Sequence, residues 1–227
     1  MVQQMTFDLP VKTALGREDF FISPANALTV KVLENWPDWP SNKLALIGPK
    51  GAGKTHLTQV WATDTGATVI PARDLAHADI PTLAEHPIAV EDVQNIATDM
   101  PAQKALFHLH NLAQANGTSL LITGDGAPNH WALTLPDLQS RMAATTITTL
   151  SPPDDDLLSA VLVKLFTDRQ IDVTPKLIAY LLKRMDRSFD AAGTLVTALD
   201  KAALAKGGAI TQKLAAQVLD NTPENTA

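Results

Sequence analysis

Along the first two thirds of the chain, short apolar runs alternate with stretches of helical periodicity; the last third is helical throughout. Residues 44–47, 67–70, 88–90, 120–123 and 146–150 read as strands, being short, apolar and bounded by polar or turn residues. A helix over 102–115, stopped near Gly117, separates the third from the fourth. Strands and helices in alternation predict an α/β fold with a parallel sheet covered by helices. Beyond Leu150 the pattern changes. Ser151-Pro152-Pro153 followed by three aspartates starts one helix, with negative charge at the positive end of its dipole. Thr174-Pro175 opens a second, with Leu177, Ile178, Leu181 and Leu182 on one face. A third runs from about 188 to 205 and ends at Gly207-Gly208; Thr211 caps a fourth, striped by Leu214, Val218 and Leu219. The expected organisation is a flexible arm over 1–18, an α/β domain over 19–150, a small all-helical lid over 151–220 and a disordered tail over 221–227.

The run Gly48-Pro49-Lys50-Gly51-Ala52-Gly53-Lys54-Thr55 matches the phosphate-binding loop pattern G-x-x-x-x-G-K-[ST] at every fixed position. The strand before it and the helical His56-Leu57-Thr58-Gln59-Val60-Trp61-Ala62 after it supply the context the motif requires. Glycines let backbone N–H groups close around phosphate oxygens at a helix N-terminus. Lys54 would reach the terminal phosphates and the Thr55 hydroxyl would hold Mg2+. These eight residues with His56 are therefore the candidate binders of ADP or ATP. The strand over 88–90 ends in Glu91-Asp92, at the carboxyl ends of the strands where ligands gather in an open parallel sheet. One of the two carboxylates would hold the metal with Thr55, directly or through water, and the other would orient the attacking water. Taken alone, an apolar run before two acids is as well a strand meeting a polar loop. The strand over 120–123 ends at Gly124-Asp125 and offers a third acid.

Composition narrows the classes. A formal charge of −6 argues against gripping nucleic acid through phosphate contacts, and neither the first 150 residues nor the remainder is basic. The absence of cysteine excludes disulfides and thiolate metal sites and suits a reducing cytoplasm. No apolar stretch approaches the roughly 18 residues of a membrane span. His108 and His110, two apart on a helix, face different ways and make a poor metal pair. Trp36, Trp39, Trp61 and Trp131 are expected to pack rather than to stack on nucleic acid.

Four stretches in order, GPKGAGKTH (48–56), VEDVQ (90–94), LITGD (121–125) and LPDLQSR (135–141), resemble the AAA+ ATPase module of the bacterial replication initiator DnaA. The resemblance runs from about residue 20 to 219. It is stronger to the Hda family, the shorter regulatory paralogues that inactivate the initiator, which LLKRMDR over 181–187 also resembles. That likeness implies AAA+ P-loop architecture and a role in negative regulation of DNA replication initiation. It makes Arg141 an arginine finger reaching a neighbouring subunit's nucleotide, and Phe21, Ile22 and Asn26 the surroundings of adenine. By their own pattern these last three are as well core residues and a helix cap. In the arm, Gln4, Met5, Thr6, Phe7 and Leu9 resemble the peptide that holds the DNA polymerase III sliding clamp. The implied partners are the clamp and DnaA, with no sequence-specific DNA binding, no membrane, and a homodimer left open.

The sequence departs from the family at two places. Glu91 stands where the family has the metal-site aspartate. Asp190 aligns with the lid arginine called sensor two, with Arg187 as a conceivable substitute. A carboxylate at that position repels the terminal phosphate of ATP, so preference for ADP and weak hydrolysis in cis are expected. The alternative reading is a self-contained AAA+ ATPase, a loader or remodeller, with Glu91, Asp92 and Asp125 catalysing hydrolysis in cis. A small-molecule phosphotransferase is a more distant third.

Overall fold

The computed structural model describes residues 21–206 and 208–220. The arm motif at Gln4, Met5, Thr6, Phe7 and Leu9 and the tail over 221–227 lie outside the described residues.

The five expected strands form one parallel sheet: β1 (Lys43–Ile47), β2 (Thr68–Pro71), β3 (Ile88–Glu91), β4 (Leu120–Gly124) and β5 (Ile147–Thr149), in the order β2-β3-β4-β1-β5. Helices α1 (Ala27–Glu34), α2 (Lys54–Thr65), α3 (Ile80–Leu83), α4 (Met100–Asn116) and α5 (Pro136–Ala144) accompany the sheet. Both faces of the central strands are buried, which is why their sequences run apolar without alternation. Alternation survives in direction only. Leu44 and Leu46 of β1 join a cluster with Val30, Leu33, Leu57 and Trp61 from α1 and α2. Ala45 and Ile47 join one with Leu106 and Leu109 of α4 and Leu138 and Met142 of α5. β1 is bracketed by β4, with Ile47 opposite Gly124, and by β5. The loop leaving β1 thus emerges mid-sheet, beside the ends of β3 and β4. Glu91 and Asp125 are carried to it from strands far away in sequence.

The tryptophans pack, as expected. Trp61 and Trp131 are fully buried, and Trp39 stacks on Trp61 with ring centroids 5.4 Å apart. Helix α1 was hinted at only by the cap reading of Asn26. It has only eight residues, and its buried side carries two β-branched residues, Thr29 and Val30, with Leu33. That is too little for a helical period to show.

Helices α6 (Asp155–Thr167), α7 (Pro175–Leu182), α8 (Phe189–Lys206) and α9 (Gln212–Asp220) bury a core of their own around Leu162, Phe166, Leu181, Val196 and Leu199. Their starts follow cap chemistry. Thr174 accepts from the Leu177 amide (3.3 Å) and Thr211 from the Leu214 amide (3.2 Å). The first start falls in the expected run, at its aspartates: Asp154 is the cap, accepting from the Leu157 amide at 2.8 Å. Ser151 and Pro152 each precede a proline, which disfavours helical backbone, so the helix waits for the aspartates.

Candidate nucleotide-binding site

Between the β1–α2 loop, the ends of β3 and β4, and helices α6 and α8 lies a cavity of about 660 Å³, within the range of small-molecule sites. Lys50, Gly51, Ala52, Gly53, Lys54, Thr55 and His56 line it, as does Asp125. Apolar side chains make up much of the rest of the lining, from Phe21, Leu150, Leu157, Val161, Leu165 and Phe189. A phosphate-binding loop joined to an apolar lining suits a ligand with a charged tail and a flat, weakly polar head.

The loop needs its glycines. Gly51 and Gly53 have φ of +75° and +101°, left-handed backbone that other residues enter only with strain. Neither has room for a methyl group. A Cβ on Gly51 would stand 2.5 Å from that of Ser188, and one on Gly53 2.8 Å from the Phe189 ring. The start of α8 is therefore docked on the loop, and the Phe189 amide donates to the Gly51 carbonyl at 2.9 Å.

Lys54 begins α2, and its ammonium donates to the Gly48 carbonyl (2.6 Å), the Pro49 carbonyl (3.1 Å) and Asp125 Oδ1 (2.5 Å). Pro49 thus serves the site through its backbone oxygen. Asp125 is half exposed and holds the most replaceable of the three bonds; entering phosphate oxygens would compete with it. Its backbone is fixed by Gln94, whose Oε1 accepts from the Asp125 amide at 3.2 Å, and by Trp131, whose indole donates to the Asp125 carbonyl at 3.0 Å. Gln94 also donates to Asp92 Oδ1 (3.4 Å). Asp92 is held in left-handed backbone (φ 58°), with its amide donating to Thr123 Oγ1 at 3.1 Å. One glutamine thus ties the Asp92 carboxylate to the backbone that carries Asp125.

Glu91 sits lower. Burial pushes its carboxyl pKa up and Asp92 pushes the same way; the facing Thr55 side chain and the Lys54 ammonium oppose them. Its Oε1 is buried without a hydrogen-bond partner among the described residues. An orphaned carboxylate oxygen facing a hydroxyl is a donor set that fits Mg2+. Among the described residues no cluster of three acids or histidines makes a metal site unaided, so phosphate oxygens and water would complete the shell.

Of the three adenine-region candidates, Phe21 and Asn26 line the cavity, whereas Ile22 packs into the α1–α2 core. The cap reading of Asn26 fails: it precedes α1 but its side chain makes no cap bond. Instead Nδ2 donates to the Phe21 carbonyl and Oδ1 accepts from the Ser23 amide, both at 2.9 Å, which shapes the wall that presents Phe21. From α8, Asp190 enters the cavity, its Oδ2 3.6 Å from where a Gly51 Cβ would be. Arg187 does not substitute for a phosphate-sensing arginine. It donates to Asp155 at 2.7 Å and lines a separate cleft with Lys183 and Met185.

Arg141 stands apart from all of these. It is exposed on the last turn of α5, outside the cavity. The groups that feel its charge are Lys43 and His110, at the start of β1 and late in α4, the end of the sheet away from the loop. That pair was not foreseen, for nothing in sequence links positions so far apart. The buried Lys43 Nζ lies 3.3 Å from His110 Nδ1 and donates to Gln114 at 3.0 Å. Burial and the nearby Arg141 hold the Lys43 pKa down at about 8. His108 is exposed while His110 is buried, so the two do face apart.

His110 gives a pH prediction. Burial, then the Lys43 and Arg141 charges, lower its pKa from 6.5 to about 4. Between those values the unfolded chain binds the proton and the folded one does not. Stability is therefore lost as pH falls from 6.5 towards 4 and is whole above 6.5. The full loss is up to about 3 kcal/mol. Melting temperatures from pH 4 to 7 should show that slope, and His110→Gln should flatten it.

No protein-family model matches the chain. An uncharacterized protein of Haemophilus influenzae is 27% identical over 167 residues, covering 69% of this chain and 72% of that one. Domain III of the Thermotoga maritima replication initiation protein DnaA superimposes with a TM-score of 0.77 at 18% identity, covering 95% of this chain and 99% of that one. The FIGL-1 AAA domain in complex with ADP gives 0.63 at 15% identity, with 83% and 74% covered. The chain has the AAA+ fold, in the form that domain III of DnaA displays.

Proposed function

We propose that the chain is a nucleotide-bound regulator of replication initiation of the Hda kind. An arm residue set, Gln4, Met5, Thr6, Phe7 and Leu9, tethers it to the DNA polymerase III sliding clamp. There it stimulates ATP hydrolysis on the initiator DnaA through Arg141 supplied in trans. In this reading residues 19–150 are the nucleotide-binding domain, and 151–220 the lid that closes over ADP or ATP. The apolar lining of the cavity holds the base and the amides around Lys54 wrap the phosphates. Glu91 and Thr55 hold Mg2+, which would neutralise phosphate charge. The FIGL-1 neighbour carries ADP at the same fold, which supports the nucleotide assignment.

The observation that carries the proposal is the separation of Arg141 from the cavity in which Lys54, Thr55, Asp92 and Asp125 converge. An arginine placed there has no route to this chain's own phosphates, yet its planar fork of donors is suited to a phosphoryl group presented by another molecule. Asp190 at the loop supports the regulatory half of the reading, since a carboxylate there disfavours a third phosphate. Asp190→Arg is expected to improve ATP over ADP affinity by about tenfold, a change of ~1.4 kcal/mol. Isothermal titration with both nucleotides measures it.

Capture of the protein on immobilised sliding clamp tests the tether. The unaltered chain should be retained, and a variant with Gln4→Ala and Phe7→Ala should pass through. If neither is retained, the clamp-tethered regulator is wrong and the self-contained ATPase becomes the better account.

A further inference from the structure

One buried side chain joins the cavity to the helix of Arg141. Gln103, on the first turn of α4, is fully buried. Its Nε2 donates to the carbonyls of Ile96 (2.9 Å) and Ala97 (2.8 Å), in the turn that follows Asp92. Its Oε1 accepts from the amides of Thr134 and Leu135, both at 2.9 Å, immediately before α5. Both donors and both acceptor sites of the amide are used, so shifting either segment strands a buried polar group. That costs roughly 1–3 kcal/mol. The segment on one side belongs to the acidic turn, where Gln94 bridges Asp92 to Asp125 and Asp125 holds Lys54. The segment on the other side is the first turn of α5, where the Gln139 amide donates to the Leu135 carbonyl at 2.9 Å. Apolar packing would serve to hold α5 on α4. Four directional bonds to two loops do something more: they fix one loop relative to the other.

We infer that Gln103 is a positioning residue, which makes the placement of Arg141 depend on what the cavity holds. When phosphate oxygens take Lys54 from Asp125, the Asp125–Gln94–Asp92 bridge readjusts and Gln103 passes the shift to residues 134–135 and so to α5. The inference rests on the nucleotide-binding reading above, and a chain of contacts becomes a coupling only when perturbing one end moves the other.

Hydrogen exchange of the full chain, with and without saturating ADP and Mg2+, reads it. In the unaltered protein, amides of α5 should exchange at least about fivefold more slowly with nucleotide, the lower end of usual coupling between sites. In Gln103→Met, which keeps volume but no amide, that slowing should vanish while calorimetry shows ADP still bound. Equal slowing in Gln103→Met, or no slowing in the unaltered protein despite bound ADP, overturns the inference alone. No ADP binding in the same titration overturns the nucleotide reading and this inference with it. Should Gln103→Met fail to fold, Gln103→Asn, which keeps the amide but is too short to reach both loops, takes its place, and the same two outcomes decide.

Discussion

Replacing Arg141 by alanine should reduce stimulation of the initiator's ATP hydrolysis by about 10³-fold or more, while changing this chain's own affinity for ADP by less than about twofold. The first figure is the usual worth of an arginine supplied in trans to a phosphoryl transfer, where a guanidinium meets charge developing on equatorial oxygens. The second follows from position, since Arg141 lies outside the cavity and none of its contacts reaches the loop. Arg141→Lys should recover little, because an ammonium lacks the planar fork. The readout is phosphate release from ATP-loaded DnaA with clamp on DNA. Undiminished stimulation by Arg141→Ala would remove the residue from its role. Weakened ADP binding would show that it acts in cis after all.

Replacing Lys54 by alanine should weaken nucleotide binding by about 30-fold to 5,000-fold, the effect of removing one partner of a desolvated charge pair, about 2–5 kcal/mol. Lys54 is nearly buried, at 8% exposure, and each of its three protons has an acceptor. In the variant, the Gly48 and Pro49 carbonyls and Asp125 lose their donor, and the phosphates face Asp92, Asp125 and Asp190 with less opposing charge. Titration calorimetry at fixed Mg2+ gives the ratio. Affinity within about threefold of the unaltered protein would mean that the ligand of this cavity is not a polyphosphate.

Most of the architecture was legible because it is written locally. A phosphate loop between an apolar run and a helix announces its own fold, and the strand runs at 44–47, 88–90 and 120–123 became β1, β3 and β4 to within a residue or two. Cap residues placed helix starts well: Thr174 and Thr211 cap α7 and α9, and α6 begins at the aspartates after Ser151-Pro152-Pro153. What the sequence concealed is non-local. The apolar lining of the cavity comes largely from Leu157, Val161 and Leu165 on α6 and Phe189 on α8, which in sequence are ordinary core residues of a helical bundle. Only docking of that bundle on Gly51 and Gly53 turns them towards a ligand. Gln103 was equally invisible, a polar residue in a helical run whose partners lie 6–7 residues before it and 31–32 after it. Asn26 shows the converse. Its position before α1 suggests a cap, but the polypeptide used its amide to tie down residues 21–23 instead. Arg141 was identified through resemblance, and its place outside the cavity is what only coordinates supply.

The measurement that bears most directly on all of this is a calorimetric titration of the purified full chain with ADP and with ATP, each with Mg2+. One site per chain, with ADP held at least as tightly as ATP at about micromolar strength, is the predicted result. No heat from either nucleotide at concentrations up to about 1 mM, where a site of even −4 kcal/mol would be half filled, would contradict it.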